Sequence, residues 1–112
     1  MPETLILKGS IIPLDKDGYL KNLKDWSPAV ADEIARRENI SLTNQHWEVI
    51  NLLRIFYDNH GLAPMMRVLV KQMKISHGEE KGSSIYLLSL FPEYPALIAN
   101  KIAGLPRPTN CP

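Results

Sequence analysis

Cysteine and net charge are both scarce in this chain of 112 residues. It has a single cysteine, Cys111, and its 13 basic residues are balanced by 12 acidic ones, which gives a formal net charge of +1. One cysteine excludes an intrachain disulfide and a structural zinc site made of cysteines. The charge balance also lacks the basic excess that is typical of proteins bound to phosphate backbones.

Long hydrophobic runs are missing as well. The apolar stretch 5–7 is interrupted at Lys8 and has no basic residues before it, so we expect neither a signal peptide nor a membrane span. With 45% hydrophobic and 22% charged residues, the composition predicts one globular domain with room for a modest core. We expect it in the cytoplasm, where a lone cysteine remains a thiol.

The usual signatures of metal and cofactor sites are absent from the sequence. His46, His60 and His77 lack ligand spacing with one another or with acidic residues. The glycine-containing loop 78–82 matches no phosphate-binding motif, so we interpret it as a connector. The sequence therefore predicts no metal and no organic cofactor.

The predicted fold class is mainly α (α+β), with a small N-terminal β-hairpin and a helical core. The strand signals lie at 5–7 and 11–14, and a turn at 15–18 precedes Tyr19 and Leu20. Capping residues and prolines start the helices, and glycines end them. The predicted helices cover 28–39, 44 up to the helix-ending residues 59–61, 64–73, 85–91 and 96–103. The predicted N-caps are Ser27, Thr43 and the pair Ser83–Ser84, and Leu42 with Trp47 forms a predicted hydrophobic staple.

The second and third predicted helices are joined by a short turn containing Gly61, and this arrangement resembles a helix-turn-helix. We expect the second helix to be the central one. Arg67, Lys71, Lys74 and His77 lie on or just after the third helix and could contact the phosphates of DNA. A solvated basic face opposite a methionine-rich core is the commoner meaning of such a pattern, so direct DNA binding is the minor alternative.

The C-terminal segment 105–112 contains three prolines, at 106, 108 and 112, and places Cys111 one position from the end. We therefore divide the chain into a domain at 1–104 and a flexible arm at 105–112. Cys111 is seven positions after Gly104, and an extended chain of that length spans up to about 25 Å, so the thiol could be delivered to another protein. The alternative is an incidental exposed thiol at a frayed terminus.

Several short motifs across the whole chain resemble the DsrC/TusE family. They are Trp26, LT and HWE within 42–48, GLAP at 61–64, KGSS at 81–84, YL at 86–87, LFP at 90–92, and IAGLPRPT at 102–109 followed by Cys111. The resemblance implies a helix-turn-helix-like core and a mobile arm whose penultimate cysteine, here Cys111, carries sulfane sulfur as a persulfide. The activity implied is that of a sulfurtransferase or sulfur carrier.

The DsrC branch of the family has a second cysteine eleven residues earlier, at the position of Asn100. With one thiol, the chain is more similar to TusE, the single-cysteine relay of tRNA 2-thiouridine synthesis. The resemblance then implies a TusBCD-type (or DsrEFH-type) sulfur donor and the thiouridylase MnmA with tRNA as acceptor. The alternatives are a DsrC-like paralogue in dissimilatory sulfur metabolism and a helix-turn-helix regulator.

A thiol with an unperturbed pKa of about 8.5 is only slightly ionised at neutral pH, so sulfur exchange needs nearby positive charge. Arg107 on the arm and Lys101 near its root are the candidate thiolate-activating or docking residues. A partner's pocket could supply the same charge, in which case both side chains are ordinary solvated cations.

Overall fold

The computed structural model describes residues 3–108. Within these residues, two antiparallel strands and five α-helices form the fold, which confirms the predicted class. In chain order the elements are β1 (Glu3–Leu7), β2 (Ser10–Leu14), a 3-10 turn (Leu23–Asp25), α1 (Pro28–Arg37), α2 (Asn44–His60), α3 (Met66–His77), α4 (Ser84–Leu90) and α5 (Pro95–Ile102). None of these helices is long and apolar enough to cross a membrane.

The N-terminal hairpin covers one side of the helical core. Leu5 pairs with Ile12, and both side chains are buried against the helices, while the next pair, Ile6 and Ile11, faces outward. The predicted turn at 15–18 is present, and it returns the chain so that Leu20 bridges to Leu14.

Side-chain caps start three of the helices where the sequence predicts them. The Ser27 and Ser83 hydroxyls accept the backbone N–H groups of Val30 and Tyr86, at 3.2 and 3.1 Å. Thr43 caps α2, and Gly61 ends it in the left-handed region at φ 69°. The prediction that α3 begins at residue 64 is wrong by two positions. The residue at 64 is buried, and its carbonyl accepts a hydrogen bond from α5, so the helix begins at Met66.

The centre of the fold is α5 rather than α2, which corrects the expectation from sequence. The eight residues of α5 pack against α1, α2, α3 and α4. Ala99, Asn100 and Ile102 on this helix are completely buried. The segment that follows α5 therefore starts from a helix that contacts four others.

Candidate functional site

The predicted reactive residue, Cys111, lies outside the described residues, as does the rest of 109–112. The part of the candidate site that the structure describes is the root of the arm. Residues 105–108 lie against the body. Leu105 is buried and its N–H donates to the carbonyl of Asn100 at 3.0 Å, and Pro108 is buried as well. Packing therefore continues beyond the predicted boundary at residue 104, and flexibility in the arm remains a prediction.

Two side chains from distant parts of the sequence hold the end of α5. The Trp26 indole N–H donates to the carbonyl of Ile102 at 2.9 Å, and Arg54 Nη1 donates to the carbonyl of Ala103 at 2.6 Å. The Arg54 guanidinium also stacks 3.7 Å from the centre of the Trp26 ring. Burial lowers the pKa of Arg54. Helix-terminal carbonyls that would otherwise lack partners are thus satisfied by long-range donors.

Gly104 allows the chain to turn away from α5 at this point. Its φ is +74°, a conformation that favours glycine. A Cβ placed there would lie 2.1 Å from Cδ1 of Trp26, so no larger residue fits unless the indole moves. The sequence predicts a helix-ending glycine at this position, but not its close contact with the indole.

The two candidate cations lie on one cleft of about 250 Å³ beside the arm, and each is paired with a carboxylate. Lys101 Nζ lies 2.9 Å from Glu38 Oε2, and the lysine side chain is only 16% exposed. Arg107 Nη1 lies 2.6 Å from Asp17 Oδ2, at the surface. Lys101 is therefore not an ordinary solvated charge, and Arg107 ties the arm to the turn at 15–18.

Tyr19 forms part of the same cleft and was not identified from the sequence. Its hydroxyl donates to the carbonyl of Leu97 at 2.9 Å, and the ammonium of Lys101 lies 5.4 Å from the ring centre. Burial raises the pKa of Tyr19 to about 12. The phenol thus remains neutral over the physiological range and works as a structural hydrogen-bond donor.

Asn100, where the resemblance implies a second cysteine in the DsrC branch, lies on α5 and is completely buried. Its amide nitrogen donates to the carbonyls of Pro64 and Ala96 at 3.1 and 2.8 Å. Its Oδ1 has no hydrogen-bond partner among residues 3–108. The side chain therefore joins α5 to the start of the α3 region.

His46 has a structural role, which the search of the sequence for metal-ligand spacing does not reveal. Its Nδ1 accepts the backbone N–H of Thr43 at 3.1 Å, which leaves Nε2 to donate to the carbonyl of Leu90 at 2.8 Å. This contact connects the start of α2 to the end of α4. Within residues 3–108, no group of three or more His, Cys, Asp and Glu side chains could hold a metal ion.

The residues of the DNA-binding alternative lie at the surface of α3. Arg67, Lys71, Lys74 and His77 are all exposed, and α2 and α3 are joined by the short segment 61–65. The helix-turn-helix-like arrangement predicted from sequence is therefore present in the fold.

Comparisons with known proteins agree with this architecture. The DsrC like protein family model matches residues 6–112. Sulfurtransferase TusE of Sodalis glossinidius is 54% identical over 103 residues, covering 92% of this chain and 95% of the relative. TusE of Yersinia pestis is 51% identical over 107 residues, covering 96% of this chain and 98% of the relative.

Solved structures of DsrC share the fold. DsrC of Allochromatium vinosum has a TM-score of 0.91 and 48% identity, and the alignment covers 99% of both chains. The oxidized γ-subunit of dissimilatory sulfite reductase (DsrC) from Archaeoglobus fulgidus has a TM-score of 0.86 and 38% identity, with 97% and 99% coverage. Since the family match and both TusE relatives span nearly the whole sequence, the chain belongs to the DsrC-like family.

Proposed function

We propose that this protein is a sulfur relay protein in which Cys111 accepts sulfane sulfur and passes it on as a persulfide. The observation that carries this proposal is the single thiol, one residue from the end of a family match that continues to residue 112. The TusE relatives, which are named sulfurtransferases, support it. The chain offers no second thiol with which to do this chemistry.

The transfer chemistry needs one thiolate and no cofactor. The Cys111 thiolate attacks the outer sulfur of a donor persulfide, R–S–SH. A new S–S bond forms to Cys111, the donor S–S bond breaks, and the donor leaves as the thiolate R–S⁻. Delivery repeats the same exchange, with an acceptor thiolate attacking the outer sulfur and Cys111 leaving as a thiolate. Both steps are balanced without an external oxidant or reductant.

Within this proposal, the single thiol favours the TusE branch over a DsrC-like paralogue of dissimilatory sulfur metabolism. An internal disulfide needs two sulfurs, and this chain has Asn100 where the resemblance implies the second cysteine of the DsrC branch. We therefore propose a TusBCD-type donor complex and MnmA with tRNA as the acceptor, in the cytoplasm. The product would be 2-thiouridine in tRNA.

The geometry of the arm root suggests how the thiol is presented. Cys111 is three positions after Pro108, and an extended chain of three steps spans about 10 Å. If the pair between Arg107 and Asp17 opens and the chain lifts as far as Gly104, the span becomes about 25 Å. We assign Arg107 a docking role that sets this reach. Lys101 stays paired with Glu38 on the body of the protein, and we propose that a partner's pocket supplies the positive charge that activates the thiolate.

Mass spectrometry after incubation with glutathione persulfide tests the proposal. The wild-type protein should gain one sulfur, about 32 Da, on Cys111. Cys111→Ser should lose this adduct and all transfer to an acceptor, with a change of less than about 0.5 kcal/mol in the free energy of unfolding. Asn110→Ser is the matched control, because it places the same residue type next to the thiol and should transfer normally. Transfer by Cys111→Ser at the wild-type rate would refute the proposal.

A further inference from the structure

The exposed face of α3 carries a row of basic side chains without acidic partners. Arg67, Lys71 and Lys74 follow one another at intervals of four and three residues, so they lie along one strip of the helix. All three are exposed, and none forms an ion pair among residues 3–108. Since α3 contains no acidic residue, no carboxylate of this helix neutralises the strip.

A second, apolar strip lies beside the basic one on α3. Val68 is 38% exposed and Ile75 is 68% exposed, and their separation of seven residues places them on the same side of the helix. At 100° per residue this strip is centred about 90° from Arg67, toward the side that carries Gln72. The exposed face of α3 is therefore amphipathic, with one charged edge and one apolar edge.

A groove between α2 and α3 extends the apolar edge. It has a volume of about 410 Å³, and Gln72 and Ser76 line its α3 side. Its α2 side includes Leu52, Phe56 and Ile55, which is 61% exposed. The one acidic side chain in the groove, Glu48, is already paired with Lys81 at 2.9 Å.

The loop 78–82 packs closely against the end of α3. Gly82 is buried, and a Cβ at this position would lie 2.4 Å from Cα of Lys74. The Gly82 N–H also donates to the carbonyl of Gly78 at 3.0 Å, which closes the loop. The basic strip and the groove are thus presented on a preformed scaffold, and binding there requires little ordering of the backbone.

We propose that this surface, the exposed face of α3 with the α2/α3 groove, binds an amphipathic helix of a partner protein. The apolar side of that helix fills the groove beside Ile55 and Ile75, and its acidic side faces Lys71 and Lys74. A nucleic acid fits less well, because phosphates could satisfy the basic strip but nothing on a phosphate backbone would cover the two exposed isoleucines. The surface includes no residue of the arm, so the interaction is separate from sulfur transfer at Cys111.

Binding of designed peptides tests this proposal directly. The probes are two fluorescein-labelled peptides of 18 residues with the same leucines at helical spacing, one with glutamates and one with lysines on the polar side. Fluorescence anisotropy gives the affinity, and ¹⁵N–¹H correlation spectra locate the binding site. We expect the acidic peptide to bind and to shift the amides of α2 and α3, and the basic peptide to bind at least about tenfold more weakly.

Variants of the full-length protein separate the two parts of the surface. Lys71→Glu/Lys74→Glu should weaken binding of the acidic peptide at least about tenfold, and Ile55→Ser should weaken binding of both peptides. The matched control is Lys21→Glu/Lys24→Glu, which makes the same charge change at exposed residues elsewhere and should bind as the wild type does. Circular dichroism checks that each variant is folded.

Three outcomes would overturn the proposal. The first is equal binding of the acidic and basic peptides, or binding that Lys71→Glu/Lys74→Glu leaves unchanged. The second is failure of the acidic peptide while a duplex DNA of 20 base pairs binds through the same lysines, which would make the surface a nucleic-acid site. The third is loss of peptide binding in Cys111→Ser, since the surface is proposed to act independently of the thiol.

Discussion

Replacement of Gly104 by alanine should destabilise the protein far more than the same replacement at Gly61. Both glycines have similar left-handed backbones, with φ of +74° and +69°. A Cβ at Gly61 meets nothing within 4 Å, whereas a Cβ at Gly104 lies 2.1, 2.5 and 2.8 Å from three atoms of Trp26. The difference between the two variants therefore isolates the contact with Trp26 from the cost of the backbone conformation.

The size of the effect follows from what the indole would lose. Alanine in a left-handed conformation costs about 1 kcal/mol, and we expect that loss in Gly61→Ala. In Gly104→Ala the indole must also move, which weakens its hydrogen bond to Ile102 and its stacking with Arg54. The steric, hydrogen-bond and cation–π contributions together add roughly 3 kcal/mol. At about 4 °C or more per kcal/mol, Tm should fall by at least about 15 °C.

Urea unfolding, monitored by circular dichroism, gives the free energy of unfolding of both variants. A double-mutant cycle with Trp26→Ala tests whether the contact with the indole causes the difference. Once the indole is removed, Gly104→Ala should cost only the backbone term of about 1 kcal/mol. If Gly104→Ala is no more destabilising than Gly61→Ala, or if Trp26→Ala does not relieve it, the proposed packing at the arm root is wrong.

Two further predictions concern the cleft beside the arm. Asp17→Arg should lower the ¹⁵N heteronuclear NOE at the Arg107 amide with less than about 1 kcal/mol change in stability, because the ion pair is exposed. The double variant Asp17→Arg/Arg107→Asp should restore the NOE, and an unchanged NOE in the single variant would exclude the docking role. Burial raises the pKa of Tyr19 from 10.0 to about 12, so its contribution to stability is complete below pH 10 and is lost as the pH rises to about 12. Tyr19→Phe should remove this loss of stability at alkaline pH. An identical dependence of stability on pH in the variant and the wild type would contradict the raised pKa of Tyr19.

The parts of the fold that the sequence could predict are those fixed by local hydrogen bonds. Ser27, Thr43 and Ser83 each cap the helix that begins immediately after them. Such caps need only residues within one turn, and the relevant side chains are therefore visible in the sequence. The hairpin is predictable for the same reason, since its strands are joined by a tight turn.

The parts that the sequence could not predict depend on partners far along the chain. Pro64 is a favourable first residue for a helix, but its carbonyl bonds to Asn100, 36 residues away, and α3 begins later. His46 is an N-terminal helix residue whose second nitrogen bonds to Leu90, 44 residues away. No periodic pattern indicates either contact, because each depends on how the helices pack.

The same distinction applies to the arm, which the sequence analysis begins at residue 105 although residues 105–108 lie against the body. Prolines after Gly104 indicate an extended segment, and extended chain need not be free of the body. The carbonyls of Ile102 and Ala103 bond to residues 76 and 49 positions away, and Arg107 reaches Asp17 across 90 positions. Under the proposed relay role such an anchored root is favourable, because each fixed residue restricts the volume that Cys111 must search before it meets an acceptor.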